Sequence, residues 1–205
     1  MICYQNLFKQ MLREANPNEL AQHSVLNHHA PGMTYLCLHR SPKMTVKVYM
    51  LEDPKNLNNG LLVHPHTHRY AFSTTVLRGI LEHIRFRELP ERPNVPRETE
   101  FHNRYRYVAE TRSCELAGAV RLQQRSMVYV DDVPTSYWVD TDEIHSIRVF
   151  ENHGPLIFGL MQLGDQANDS FLYHPEGATL HFPEAVAPSP DLFHDLRNRA
   201  LELIR

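Results

Sequence analysis

Between Met33 and Leu163 the chain is written in short runs of β-branched, aromatic and other apolar residues, and this texture limits the folds open to it. MTYLCLHR, MTVKVYML, GLLVHPHTHRYAFSTTVL, ILEHIRFR, RYRYVAE, VRLQQ, SMVYVDDV, SYWVD, HSIRVF and PLIFGLMQL all read as extended segments. MTVKVYML alternates apolar with polar residues, as a strand with one buried face does. About nine or ten short strands at close spacing predict an antiparallel sandwich or barrel rather than a parallel α/β sheet. Residues 56–60 (NLNNG) and Gly79 are turn chemistry between runs, and residues 88–100, with three prolines and many charges, predict an exposed loop.

The two ends have a different period. Residues 4–15 put Leu7, Met11 and Leu12 on one helical face until Asn16-Pro17-Asn18 breaks it, and Leu20 to Leu26 offers another turn or two before Pro31-Gly32. Ser189-Pro190-Asp191 is a capped helix start, after which Leu192, Phe193, Leu196, Ala200, Leu203 and Ile204 recur at helical spacing. The expected organisation is therefore a helical extension over 1–32, a barrel over 33–165 and a C-terminal extension with a terminal helix over 166–205. A chain of 205 residues suits one such domain.

Composition narrows the partners. Hydrophobic residues at 42% and charged residues at 22% are ordinary globular values, and a net charge of -3 supplies no basic surplus for gripping nucleic acid. No apolar run has the length of a membrane span, and MICYQNLFKQMLREA mixes polar and basic residues where a secretory peptide is apolar, so the cytoplasm is the expected compartment. Cys3, Cys37 and Cys114 are odd in number and far apart, which reads as reduced thiols. Fourteen histidines, several of them clustered, point to metal chemistry.

The densest cluster is HPHTHRY, residues 64–70. In a regular strand His64, His66 and His68 face the same way, with neighbours roughly 6.6–7 Å apart along the backbone. Adjacent imidazoles at that spacing converge on one ion, whereas the outer pair, about 13 Å apart, does not. The ligand pair is then either His64 with His66 or His66 with His68.

Here the sequence resembles the cupins, whose first motif is His-x-His, three or four residues, Glu, six residues, Gly. The matching residues are His66-Thr67-His68, then Arg69-Tyr70-Ala71, then Phe72 in place of the glutamate, then six residues to Gly79. PTSYWVDTDEIHSIRVF is similar to the second motif and puts His145 in its ligand position. It departs from the motif at Pro134 and Asp142 (often glycine), Asp140 (proline) and Val149 (asparagine). The resemblance covers roughly residues 33–165. It implies a single all-β jelly-roll barrel holding one divalent metal ion on His66, His68 and His145. His64 is then an alternative ligand, a partner of the ligands or, the preferred reading, a surface residue at the barrel mouth. With Phe72 at the glutamate position the ligand set is three neutral histidines, which resembles that of cysteine dioxygenase and other thiol dioxygenases and implies Fe(II), with Zn, Mn or Ni as alternatives. Cupins often pair as homodimers.

Other residues are candidates by position. Tyr70 shares the histidine face and offers a hydroxyl for proton transfer. Lys47 and Tyr49 share a face of MTVKVYML, and His83 and Arg85 share one beyond Gly79, so these four are candidate contacts for an anionic substrate; surface exposure is the ordinary state of either cation taken alone. Phe72, Trp138, Phe150 and Phe158 are candidate walls of an apolar pocket, whereas His39, His153, His174 and His181 show no ligand spacing and are expected at the surface. The sequence-level reading is a non-haem iron dioxygenase acting on a small molecule. The alternatives are a non-oxidative metal-dependent isomerase, lyase or hydrolase, and a non-catalytic small-ligand or metal-binding cupin.

Overall fold

The computed structural model describes residues 4–53, 61–89, 100–108, 111, 113–130, 135–150, 153–177 and 186–204. The 56–60 turn, most of the 88–100 loop, Cys3, Pro134 and His181 lie outside the described residues. Helix α1 (Tyr4–Glu14) and the short α2 (Pro17–Leu20), which runs into a 3-10 turn (Ala21–His23), precede the strands. These are β1 (Met33–Arg40), β2 (Met44–Leu51), β3 (Leu61–His66), β4 (Phe72–Arg78), β5 (Ile80–Leu89), β6 (Glu100–Val108), β7 (Ser113–Val130), β8 (Ser136–Val139), β9 (Ile144–Val149), β10 (Leu156–Leu163) and β11 (Ser170–Pro175). Helix α3 (Pro190–Leu203) ends the fold, and Ser189 caps it by accepting a hydrogen bond from the Leu192 amide.

The fold is all-β and antiparallel, as the strand texture predicts, with helices at either end. Five strands form one antiparallel sheet in the order β1-β2-β10-β4-β8, and six close on themselves in the order β11-β3-β9-β5-β7-β6. Alternation along the strands sorts the core into layers. Tyr49, Phe72, Phe158 and Leu160 of the first sheet meet Leu81, Ile147 and Val149 of the second in one buried cluster between the sheets. The opposite face of the first sheet, with Leu36, Val46, Val48 and Ile157, packs on Phe8, Leu12, Phe193 and Ala200 of the helices. Gly159 is the contact point of that packing, since a Cβ there would lie 2.2 Å from the Phe8 ring. Across the second sheet, Leu122, Ile144 and Tyr173 form a third cluster.

Three sequence expectations change. The run GLLVHPHTHRYAFSTTVL is two strands, because the backbone leaves the ladder after His66. The Thr67 amide donates to Phe171 O, the Arg69 carbonyl accepts from the amides of Gln166 and Ala167, and the Ala71 carbonyl accepts from that of Leu163. VRLQQ and the described part of SMVYVDDV join through Arg125 into the single 18-residue β7, which pairs first with β6 and then with β5. The β6 pairing shifts register opposite 116–119, where Gly118 has φ +123° and absorbs the irregularity. The segment 166–205 contributes a strand as well as a helix, since β11 pairs with β6 and β3. Gly79 is the expected bend: its φ is +84°, and a Cβ would stand 2.6 Å from Pro155 O.

Candidate metal centre

His66 ends β3, His68 lies in the turn beyond it, and His145 lies on β9 directly opposite His66 in the strand register. A potential ligand nitrogen from each falls within 4.8 Å of the others, and among the described residues no other group of three histidines, cysteines or carboxylates comes so close. His68 Nε2 and His145 Nε2 are 3.0 Å apart. Two nitrogens bound to one ion at about 2.1 Å stand roughly 3.0–3.4 Å apart at bond angles of about 90–109°, so this separation suits a shared ion.

The ring hydrogen bonds also suit ligation. His66 Nδ1 lies 2.8 Å from His64 O, so its N–H donates to that carbonyl and the lone pair is left on Nε2. His145 Nδ1 is 3.2 Å from His83 Nε2, an orientation that directs His145 Nε2 toward His68. His83 is fully buried and stacks on Tyr137 at 4.4 Å. Behind it Glu143 Oε1 lies 3.5 Å from His83 Nε2 and accepts from Arg85 Nε at 2.9 Å.

The imidazoles are poor bases here, which keeps their lone pairs available. Loss of solvent pulls the pKa of His66 down to about 4, and the same cause, reinforced by neighbouring imidazoles, holds His68 and His145 well below 6.5. Burial, with Arg85 next, takes His83 to about 4. Three neutral nitrogens with no carboxylate among them fit a divalent ion that accepts imidazole, such as Fe(II) or Zn(II), and poorly suit Ca(II) or Mg(II), which take oxygen ligands.

The other candidates fall in different places. His64 is exposed and lies against His174, with ring centroids 4.1 Å apart, so the even row of three histidines does not form; the turn after His66 and a register irregularity between Val63 and His66 break it. His174 itself is 4% exposed, a correction to its expected surface position that follows from its place on β11. His39 and His153 are exposed. Tyr70 packs beside His68 at 4.9 Å, and burial raises the pKa of its hydroxyl. Phe72 faces the cluster, 4.9 Å from the His68 ring and 5.5 Å from that of His145. Trp138 points outward at 45% exposure and donates to Asp140, and Phe150 packs on His153, so neither belongs to the apolar cluster between the sheets. His83 and Arg85 stand behind His145 instead of in front of the metal group. Lys47 is not at the surface: it is half-buried, with Nζ 4.7 Å above the Tyr35 ring, and Tyr49 is buried and stacked on Phe158 at 4.7 Å.

Sequence reasoning missed His28 and His29. Their rings are 3.8 Å apart, and His29 lies 5.9 Å from His66. Burial, then Lys47 and His66, brings His28 to about 3. The segment that carries them bends sharply: Asn27 has φ +54° and His29 φ +66°, and the Gly32 amide donates to Asn27 Oδ1. Two non-glycine residues in the left-handed region are costly, and such backbone is held where the surroundings determine it. The sole hint in the sequence was the doublet His28-His29 just before Pro31-Gly32.

No family model matches the sequence, and no curated protein matches it either. Solved structures similar in fold include hydroxypropylphosphonic acid epoxidase from S. wedmorenis, at 11% identity and a TM-score of 0.40 over 69% of this chain and 56% of that one. Fe(II) HppE in complex with substrate gives 13% and 0.41, over 71% and 57%. CapF with an inhibitor gives 11% and 0.39, over 69% and 31%. The chain thus spans under two thirds of each neighbour's length. At these identities and scores the fold rests on the strand pairing of the chain itself, and the neighbours' activities are theirs.

Proposed function

We propose that the chain is a mononuclear metal-dependent enzyme of the cupin kind, with one divalent ion, foremost Fe(II), on His66, His68 and His145, and that it oxygenates a small organic molecule. The observation that carries this reading is the 3.0 Å approach of His68 Nε2 and His145 Nε2 beside His66, without a carboxylate in the group. A facial set of three neutral ligands leaves open positions, and the bound ion would supply redox chemistry and a place for substrate and dioxygen to meet. The chain's own residues do the rest. His83 and the His64 carbonyl orient two imidazoles, Phe72, Phe158 and Leu160 keep water from one side, and Tyr70 places a protonated hydroxyl next to His68. The three-histidine set resembles that of the thiol dioxygenases, which makes thiols one class of substrate to test.

Metal analysis of protein purified without added metal, followed by oxygen uptake after loading with ferrous iron, tests the proposal. Uptake with a thiol, diketone, phenol or amino acid supports it; one bound ion without uptake moves the assignment to the second reading. That reading is a non-oxidative isomerase, lyase or hydrolase, favoured by the all-nitrogen ligand set, which zinc also accepts.

A further inference from the structure

Resting on the metal reading, one feature of the site needs a negative partner. Three neutral imidazoles contribute no charge against a divalent ion, and Lys47 adds a further positive charge on the same side of the first sheet. Lys47 is linked to the histidines through packed rings: its Nζ sits over Tyr35, Tyr35 lies 4.8 Å from His28, His28 touches His29, and His29 faces His66. Its charge is felt at His28, His29 and His68. In the strand register Lys47 stands between Cys37 and Leu160, and Tyr49 between Tyr35 and Phe158. Among the described residues no carboxylate pairs with Lys47, whereas Arg69, Arg85, Arg104, Arg106, Arg148 and Arg199 each hold one. Asp165, the acidic residue nearest Tyr70 in its electrostatics, is already occupied by Arg69.

A half-buried ammonium with an aromatic face below it and no counterion is costly unless something negative joins it. We propose that Lys47 is the anchor of a carboxylate-binding subsite, and that the substrate is a small organic carboxylate whose acid group meets the Lys47 ammonium while its remainder extends toward the three histidines. A single ammonium balances the one negative charge of a carboxylate, whereas a phosphate ester carries about −1.5 to −2 at neutral pH. Tyr35, on the neighbouring strand, forms the floor under the ammonium. The cation is kept at neutral pH, because burial lowers its pKa to about 8 and no further.

The test uses benzoate and its neutral counterpart of the same shape, benzamide, titrated calorimetrically into the full chain with and without zinc. Wild type is expected to bind benzoate at millimolar concentrations and benzamide far more weakly. Lys47→Met is expected to lose benzoate affinity by about tenfold or more, the scale of one charged hydrogen bond, while still taking up one zinc ion. Its melting temperature without ligand should rise, since an uncompensated buried charge has been removed. Equal benzoate affinity in wild type and variant, equal binding of benzamide, no benzoate binding by wild type, or a lower melting temperature in the variant overturns the subsite. The zinc titration reads the metal assignment separately, and the metal-free arm reads Lys47 even if that assignment fails.

Discussion

His68 Nε2 and His145 Nε2 meet at 3.0 Å although 77 positions separate them in the chain. The register of β3 on β9 makes this contact, by setting His66 opposite His145, and the turn after His66 swings His68 into the same space. The three-histidine cluster is therefore a property of the folded chain, and the consequences expected of a metal ion held there can be measured.

Replacing His145 or His68 by Ala should abolish stoichiometric binding of zinc or ferrous iron, a loss larger than the roughly 10–100-fold typical of a partner behind a ligand. Calorimetric titration reads it. Unchanged affinity in either variant removes that residue from the ligand set.

His83→Leu should keep one bound ion but weaken it by about 10–100-fold, because His145 loses the imidazole that fixes its ring. Zinc affinity measured against a competing chelator distinguishes this from His145→Ala, where no residual site is expected.

Stability of the metal-free protein should fall as pH drops below about 6.5, the ordinary histidine value. The folded pKa of His83 and His66 is depressed to about 4, so between these values the unfolded chain binds the additional protons and acid favours unfolding. The buried His83 alone sets a limiting slope of about 1.4 kcal/mol per pH unit, which flattens below pH about 4 once the folded form is protonated too. Urea melts from pH 8 to 4 check the sign, and a stability that rises on acidification contradicts it.

Gly159→Ala should destabilise the fold by about 1–3 kcal/mol, since its methyl meets the Phe8 ring of α1 on the sheet face away from the histidines. Zinc affinity should stay as in wild type. Chemical denaturation and a zinc titration on the same sample separate the two effects.

Much of this was legible in the chain. Short alternating runs carry their own strand signal, so the β architecture, the terminal helices and the Gly79 bend could be read directly. The grouping of His66, His68 and His145 was legible in a spacing motif and its second half, and Phe72 at the glutamate position leaves the group without a carboxylate. What escaped depends on tertiary contacts. Bonds from β10, β11 and the segment between them break the 61–77 run, a cause lying almost a hundred residues downstream. β11 was hidden because SFLYHP lacks alternation, and it buries His174. Lys47 points inward because its strand is covered on that face by the second sheet, which no local pattern reveals. His28 and His29 reach the site through two left-handed backbone positions, a conformation that non-glycine residues rarely advertise.

The most direct measurement is an anomalous difference map from crystals of the protein loaded with a single equivalent of zinc or iron. One peak is expected, about 2.0–2.2 Å from a nitrogen of each of His66, His68 and His145, with no protein carboxylate or thiolate bound to the ion. A peak elsewhere, at His64 and His174 for example, or none between these three rings, would contradict the metal centre.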